Sequence, residues 1–255
     1  MRPRLGQHFL ADPNLLDAIV RESGVGRDDV VLEVGGGAGA LTARLARRVR
    51  HLHVVELDER MRPELEPVAR DAGNVELIWA DAIRADLAAL DPSPTTMVSN
   101  LPYSIATPLI LKTIEELPAL ASWTLLVQRE IADRLRAAPG SRTYGAPSVL
   151  VQLAAEVAML RTVDRAVFSP RPRVDSALIA LRRRGPAAQE PVRRLVHDAF
   201  AHRRKSLARS LELAAPGGRE AARAALREVG LPEDARAESL APEDFVRLAG
   251  SLQAH

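Results

Sequence analysis

Short apolar runs alternate with amphipathic stretches over the first two-thirds of the chain. The stretch from Leu41 to Ala46 has helical spacing, and the other intervals are long enough for crossover helices. Buried strands are predicted at five apolar runs: residues 30–34, 53–56, 76–79, 96–99 and 124–127. This alternation predicts an α/β fold, a doubly wound parallel sheet with helices on both faces.

The pattern changes towards the end of the chain. Strand candidates around residues 157–162 and 176–181 flank a loop too short for a helix, so we expect them to pair antiparallel at one edge. Beyond Arg184 the apolar positions have helical spacing in four stretches: residues 192–200, 206–213, 220–229 and 243–252. We therefore expect an α/β domain over residues 1–184 and a small all-α domain over residues 185–255.

Composition narrows the class of protein. A chain of 255 residues with 47% hydrophobic residues can form one large α/β domain and a small appendage. The absence of cysteine excludes disulfide scaffolds, thiol nucleophiles and Cys-based zinc sites. No apolar run has the length of a signal peptide core or a membrane span, so we expect a cytoplasmic protein.

Positive charge is concentrated in one region. The formal net charge is only +2, but residues 161–230 contain 16 Lys and Arg against 7 Asp and Glu. Such a local excess attracts phosphate groups and makes binding salt-dependent. The alternative is a solvated helical face, which is the commoner reason for a run of charges.

A glycine-rich turn, Gly35–Gly39, follows the first strand and opens a helix. Glycine allows the backbone to approach a ligand closely, and the start of a helix favours anions. Read together with Ala40, the turn resembles the dinucleotide fingerprint. Read as Gly35-x-Gly37-x-Gly39, it resembles the first motif of S-adenosylmethionine-dependent methyltransferases. Both nucleoside interpretations stay open on this motif, beside a turn that is merely tight.

Acidic residues end the next two strands. Glu56 ends the second strand and could accept hydrogen bonds from both hydroxyls of a ribose. Asp81 ends the third strand and could accept from an adenine amino group. The structural alternatives are a solvated carboxylate for Glu56 and a helix N-cap for Asp81.

The segment after the fourth strand separates the two nucleoside interpretations. Asn100 and Leu101 offer an amide and a carbonyl oxygen, Pro102 stiffens the turn, and Tyr103 brings an aromatic ring. An exocyclic base amine is a poor nucleophile, and oxygens that accept its protons favour a pyramidal nitrogen. A sulfonium donor carries its own leaving group, so methyl transfer requires no metal. A nicotinamide enzyme has no evident use for these residues.

The order of motifs is similar to that of the ribosomal RNA adenine dimethyltransferase family, most of all its small-subunit branch. The resemblance covers nearly the whole chain. It is carried, in order, by residues 6–10 (GQHFL), Glu33 to Gly39, Glu56 to Asp58, Asn100 to Tyr103, Tyr144-Gly145, Phe168 to Ser176, and Phe200-x-x-Arg203-Arg204-Lys205.

The resemblance implies a Rossmann-like methyltransferase domain, a helical C-terminal domain that binds RNA, and S-adenosylmethionine as cofactor. The implied product is two adjacent dimethyladenosines in the 3'-terminal hairpin of 16S rRNA. The implied catalytic residues are Asn100, Leu101, Pro102 and Tyr103. The implied cofactor-binding residues are His8, Leu10, Gly35, Gly37, Glu56, Leu57, Asp81, Ala82 and Asn100. The implied substrate contacts are Tyr103, Phe168, Arg203, Arg204 and Lys205, with Phe168 as a second aromatic wall or, equally, a core residue.

Three positions depart from the family pattern. Many relatives have Asn at His8, Pro at Gly36 and Asn at Ser104. Gly36 is expected to loosen the turn, and Ser104 to affect passage from one methylation to the next.

The resemblance also implies a partner, an immature 30S particle, and a monomeric enzyme with a role in subunit biogenesis. Two rival functions stay open at this point. One is methylation of a large-subunit adenine of the macrolide-resistance type, and the other is a ribosome-assembly factor whose methylation is incidental.

Overall fold

The computed structural model describes residues 9–10 and 12–253. The strands are β1 (Phe9–Leu10), β2 (Val30–Val34), β3 (His51–Glu56), β4 (Val75–Trp79), β5 (Thr96–Asn100), β6 (Ser122–Gln128), β7 (Ala155–Val163), β8 (Phe168–Ser169) and β9 (Ser176–Arg183). The helices are α1 (Pro13–Ser23), α2 (Thr42–Ala46), α3 (Arg62–Ala72), α4 (Ala106–Glu116), α5 (Arg129–Leu135), α6 (Ala146–Ala154), α7 (Glu190–Ala201), α8 (Leu207–Ala214), α9 (Gly218–Glu228) and α10 (Pro242–Gln253).

Seven strands form one mixed sheet in the order β4-β3-β2-β5-β6-β9-β7. The first five pair in parallel, as the buried apolar runs predict. Strand β9 runs antiparallel to β6, with Ala177 opposite Val127, and lies between β6 and the edge strand β7. A dinucleotide-binding sheet of the usual kind continues in parallel at this position. The predicted α/β fold class is confirmed, and the antiparallel insertion distinguishes it from that sheet.

The crossover between β4 and β5 differs from the others. The predicted interval could hold a helix, but it contains only a single 3-10 turn, Leu87–Ala89. Asp81 accepts a hydrogen bond from the Ile83 N–H at 2.9 Å, and Asp86 accepts one from the Ala88 N–H at 3.1 Å. Such side-chain bonds compete with helical ones, which explains the irregular path. Among the described residues, no helix is both long enough and apolar enough to cross a membrane.

One apolar cluster joins the sheet to α1, α2 and α3. Its members include Leu16 and Ile19 of α1, Leu45 of α2, and Leu52 and Val54 of β3. Alternate residues of a strand share a face, so the sheet presents a row of apolar side chains to the helices. This packing fixes the strand ends that carry the polar motifs.

The chain divides into two compact units. The first comprises residues 1–132 and 156–183, and the second comprises residues 133–155 and 184–255. The predicted boundary near residue 184 placed residues 133–155 with the α/β domain, whereas their contacts lie within the helical unit. Tyr144 is the reason: its side chain is fully buried, and its hydroxyl donates to the Leu240 carbonyl at 2.9 Å. The four predicted helices of the tail are α7 to α10.

An aromatic group forms the centre of this second unit. The Phe200 ring centroid lies 6.0 Å from that of Tyr144 and 5.9 Å from that of Phe245. These separations are within the range for favourable aromatic pairs. The Tyr144 and Phe200 rings of the two motifs Tyr144-Gly145 and Phe200-x-x-Arg203 therefore pack together within one unit.

Candidate active site

Two loops meet where β2 and β5 lie side by side. From β2 the chain goes on through β3 and β4 on one side of the sheet, whereas β5 leads to β6 on the other. At such a switch point the loops at the carboxyl ends of the strands separate and leave a crevice for a ligand. The Val34 N–H donates to the Ser99 hydroxyl at 2.9 Å and ties the two strand ends together.

The glycine turn lies close to the Asn100–Tyr103 segment. A Cβ atom on Gly35 would lie 3.4 Å from Pro102 Cδ and 3.7 Å from the Asn100 carbonyl oxygen. Gly35 also has φ +84°, a backbone conformation that other residues adopt at a cost. The structure thus joins the first and fourth motifs at one place.

Phe9 covers the middle of the glycine turn. A Cβ atom on Gly37 would lie 3.1 Å from Phe9 Cε1, and Gly37 has φ +53°. Sequence reasoning named His8 and Leu10 but not Phe9. His8 lies outside the described residues, and the side chain of Leu10 is buried in the apolar cluster. The alternation of side chains along a strand is the signal that separates Phe9 from Leu10.

Glu56 is anchored by main-chain hydrogen bonds. Its Oε2 accepts from the Gly37 N–H at 2.9 Å and its Oε1 from the Asp58 N–H at 2.8 Å. A carboxylate has about four acceptor positions, so each oxygen retains capacity for one more donor. Glu56 therefore holds the glycine turn in place and can also accept from ribose hydroxyls.

Glu33, near the end of β2, is a buried acid to which the sequence analysis gave no role. Its carboxylate accepts from the Thr42 hydroxyl at 2.8 Å. Burial raises the pKa of Glu33 to about 8; the Thr42 bond opposes this, and the nearby Glu56 adds to it. Glu33 is therefore mainly protonated in the folded protein at neutral pH. The signal was an acid within an otherwise apolar strand.

Gly36 lies in a confined space where a side chain would displace its neighbours. A Cβ atom there would lie 2.6 Å from Val54 Cγ1 and 3.0 Å from Leu65 Cδ2. The structure adds a packing role for Gly36, and its effect on the stiffness of the turn stays a prediction. The small residue lets the turn pack closely against β3 and α3.

The third strand end has a less specialised arrangement. Besides the Ile83 N–H, the Asp81 carboxylate lies 3.7 Å from the Arg84 Nε. The helix N-cap alternative for Asp81 does not hold as stated, because no α-helix follows before β5; its carboxylate caps a turn instead. Leu57, next to Glu56, is 54% exposed and offers an apolar surface, whereas Ala82 is buried.

The Asn100–Tyr103 turn is fixed at both ends. The Leu101 N–H donates to the Leu126 carbonyl at 3.0 Å, and the side chain of Leu101 is buried. The Tyr103 hydroxyl lies 2.7 Å from the Ser176 hydroxyl. Burial raises the pKa of Tyr103, and the Ser176 bond partly offsets this. Ser176 therefore holds a half-buried aromatic ring beside Asn100.

Phe168 lies in the core of the first unit. It is 4% exposed, belongs to the apolar cluster, and pairs with Leu10 between β8 and β1. This burial favours the core alternative for Phe168. Its role as an aromatic wall for a base stays a prediction that needs the ring to become exposed.

Only some of the basic residues in the positively charged region, residues 161–230, are available to bind phosphate. Arg183 donates to the Leu120 and Leu117 carbonyls at 2.6 and 3.0 Å, so it completes the end of α4. Arg203 Nε lies 2.9 Å from Glu238 Oε2, and its guanidinium also donates to the Arg142 carbonyl at 2.5 Å.

Two neighbours of Arg203 differ from it. Arg204 and Lys205 are exposed in the turn between α7 and α8. Neither makes an ion pair within residues 12–253. They are the members of the predicted trio that can contact phosphate without first giving up a partner.

Comparison with known proteins gives the family. The sequence model of the family "Ribosomal RNA adenine dimethylase" matches residues 1–254. The chain belongs to this family. It is accordingly an adenine dimethyltransferase that depends on S-adenosylmethionine, as the motif order implies.

Similar sequences extend over nearly the full chain. It is 46% identical over 250 residues to "Ribosomal RNA small subunit methyltransferase A" of Rubrobacter xylanophilus, covering 97% of this chain and 93% of the relative. It is 43% identical to the protein of the same name from Thermobifida fusca, covering 96% and 88% of the two chains.

Solved structures show the same fold. A dimethyladenosine transferase from Plasmodium falciparum superposes with a TM-score of 0.79 at 26% identity, covering 94% of this chain and 96% of the other. The 23S rRNA methyltransferase ErmE superposes with a TM-score of 0.70 at 29% identity, covering 96% and 99%. A dimethyladenosine transferase and a 23S rRNA methyltransferase thus both resemble this chain in fold, whereas the sequence relatives favour the small-subunit branch.

Proposed function

We propose that this enzyme dimethylates the exocyclic amines of two adjacent adenosines in the 3'-terminal hairpin of 16S rRNA. The relatives named as small-subunit methyltransferases support this branch. The observation that carries the proposal is the proximity of the Gly35 turn to the Asn100–Tyr103 segment, where a Cβ atom on Gly35 would lie 3.4 Å from Pro102 Cδ and 3.7 Å from the Asn100 carbonyl oxygen. It brings a nucleoside-binding turn next to a segment suited to hold a base amine.

The residues of the first unit fit the cofactor. Glu56 retains acceptor capacity for ribose hydroxyls, and Leu57 offers an exposed apolar surface beside it. A side chain on Gly35 or Gly37 would fill the space next to Pro102 or Phe9, so glycine keeps the turn open to a ligand. When bound there, S-adenosylmethionine supplies a methyl group on a sulfonium as the electrophile.

The amine is activated by position and by hydrogen bonds. The Asn100 side-chain oxygen and the Leu101 carbonyl accept the amine protons, which makes the nitrogen pyramidal and directs its lone pair. The ring of Tyr103, held by Ser176, stacks on the adenine. The amine loses its proton to solvent after transfer, and repetition on the monomethylated nitrogen gives the dimethyl product.

The RNA is bound mainly through phosphate. Arg204 and Lys205 contact the backbone of the rRNA within an immature 30S particle, and Arg203 stabilises the turn that presents them. We propose a monomer that acts in the cytoplasm during small-subunit biogenesis.

Mapping of methyl groups by mass spectrometry tests the substrate. Unmethylated small and large subunits are each incubated with the enzyme and labelled S-adenosylmethionine. We expect two dimethyladenosines in the 3'-terminal hairpin of 16S rRNA and none on 23S rRNA. Methylation confined to 23S rRNA would establish the macrolide-resistance alternative instead.

A second comparison addresses the assembly-factor alternative. Cells lacking the native enzyme are complemented with the wild type or with Asn100→Ala, and 30S maturation is followed by sucrose-gradient profiles. Restoration of maturation by the wild type alone supports methylation as the main role. Equal restoration by both proteins supports an assembly role with incidental methylation.

A further inference from the structure

Three potential metal ligands converge at the opposite end of β3 from Glu56. His51 and His53 alternate along β3 and so share one face of the sheet. Glu76 on the edge strand β4 is the direct partner of His53 in the parallel register. Their ligand atoms all lie within 4.8 Å of one another. Glu56, the nearest residue of the proposed methyl-transfer site, follows His53 by three residues along β3, a distance of roughly 10 Å.

The hydrogen-bonding pattern of His53 places two acceptor atoms next to each other, an arrangement that a cation would stabilise. Its Nε2 lies 2.8 Å from the Pro92 carbonyl oxygen, and its Nδ1 lies 2.8 Å from Glu76 Oε2. A carbonyl only accepts, so a neutral ring donates from Nε2 and presents its Nδ1 lone pair to the carboxylate. Two acceptors at this distance repel unless a proton or a metal ion lies between or beside them.

His51 adds a further acceptor to the same point. Its Nε2 is buried and has no hydrogen-bond partner among the described residues; Glu76 Oε2 is 3.6 Å away, too far for a hydrogen bond. In its neutral form the His51 ring presents a lone pair at Nε2 that a metal can accept. Arg50 is the nearby positive charge that opposes a cation, and Glu76 is the negative charge that favours one.

We propose that His51, His53 and Glu76 bind one divalent transition-metal ion of the Zn²⁺ type. Two imidazole nitrogens and a carboxylate oxygen suit Zn²⁺, with water as the fourth ligand. Tetrahedral bonds of this kind place ligand atoms about 3.3 Å apart. The observed separations of 2.8 and 3.6 Å from Glu76 Oε2 lie on either side of that value.

The surroundings of the three residues also fit an occupied site. The bond from His53 Nε2 to the Pro92 carbonyl fixes the ring tautomer, as outer contacts of metal-bound histidines do. The Glu76 side chain is 50% exposed and that of His51 is 25% exposed, so an ion can enter from the sheet edge. Such an ion would join β3 to β4 and support the strand that carries Glu56, without entering the methyl-transfer reaction.

Metal titration of the untagged, EDTA-treated full chain tests the site. We expect one Zn²⁺ per chain by isothermal titration calorimetry, a rise in Tm on Zn²⁺ addition, and visible bands typical of tetrahedral Co²⁺. His51→Gln and Glu76→Gln should weaken Zn²⁺ binding more than roughly 100-fold, beyond the cost of altering outer contacts. The matched controls are His197→Gln and Glu64→Gln, whose side chains are exposed elsewhere.

Two results would overturn the proposed metal site. If a proton rather than a metal lies between His53 Nδ1 and Glu76 Oε2, Zn²⁺ will not bind stoichiometrically. Nitrogen NMR will then show both nitrogens of His53 protonated. Binding that His51→Gln and Glu76→Gln reduce no more than the two controls do would also overturn the proposal. Circular dichroism of each variant separates loss of the site from loss of the fold.

Discussion

The two tyrosines of this chain lie in contrasting regions. Tyr103 belongs to the carboxyl edge of the sheet in the first unit, where its ring is half-buried and its hydroxyl meets the Ser176 side chain. Tyr144 is completely buried in the second unit, and its hydroxyl donates to the Leu240 carbonyl. Both residues belong to motifs that carry the family resemblance. Residues of the family's motifs therefore differ in use: Tyr103 lies at the proposed catalytic site, whereas Tyr144 stabilises the core of the second unit.

Burial decides between these two uses. At the carboxyl edge, main-chain hydrogen bonds fix polar groups that still have capacity for a ligand, as at Glu56. In the second unit the tyrosine hydroxyl spans the core to a carbonyl 96 residues away along the chain. Burial raises the pKa of Tyr144 well above the ordinary tyrosine value, with Glu243 and Asp244 adding to the effect. A neutral hydroxyl donor is thus maintained there.

The largest expected effect concerns a carboxyl-edge residue that acts on stability, Glu33. Its pKa is about 8 when folded and 4.5 when unfolded, so between these values only the unfolded chain loses the proton. Glu33 therefore lowers the free energy of unfolding by about 1.4 kcal/mol per pH unit as pH rises from 4.5 to 8. Glu33→Gln should remove this slope, measured as the wild-type minus variant difference in urea unfolding at several pH values. Parallel profiles for the two proteins, or an equal effect of the exposed Glu64→Gln, would contradict the assignment.

Asn100→Ala tests catalysis at the same edge. Loss of one acceptor for the amine protons should lower kcat about 100- to 1,000-fold, because the interaction is made mainly in the transition state. Affinity for S-adenosylmethionine and Tm should change little. The measurement is single-turnover methyl transfer to unmethylated 30S particles, with cofactor affinity by calorimetry. Near-normal turnover would remove Asn100 from the mechanism.

Substitutions at the two tyrosines should affect different properties of the enzyme. Tyr103→Ala should lower kcat/KM, because the loss of base stacking removes roughly 1 to 3 kcal/mol of transition-state stabilisation. Tyr103→Phe keeps the ring and should keep most of the activity. Tyr144→Phe should instead lower the free energy of unfolding by about 1 to 3 kcal/mol, because the buried Leu240 carbonyl loses its donor. Activity of the remaining folded protein should be unchanged. If Tyr144→Phe impairs kcat/KM and Tyr103→Ala does not, the contrast is reversed.

The smallest expected effect concerns RNA binding by the surface of the second unit. Arg204→Ala with Lys205→Ala should make the salt dependence of RNA binding shallower by about 1 in log–log slope per residue. Arg203 is left intact because it pairs with Glu238 and supports the Arg142 carbonyl. The control is Arg27→Ala with Arg70→Ala, two exposed arginines of the first unit. An unchanged slope in the Arg204 and Lys205 variant would assign those residues to a solvated surface.

Much of the fold follows from local patterns. The apolar runs located the strands of the parallel sheet, and helical spacing located α7 to α10, because both signals repeat within a few residues. The segment between β4 and β5 misled, since the turns at Asp81 and Asp86 override its length. Residues 133–155 were assigned to the α/β domain because nothing local indicates that Tyr144 packs with Phe200.

The candidate site motifs and their order can be read from the sequence: a glycine turn, Glu56, and Asn100–Tyr103, each at the end of a strand. Which residues lie close together and which are buried follows from the packing of the folded chain. The proximity of Gly35 to Pro102, the burial of Phe168 and the ion pair of Arg203 all involve residues distant along the chain. Local periodicity carries no information about such partners, because strand order and packing alone bring them together.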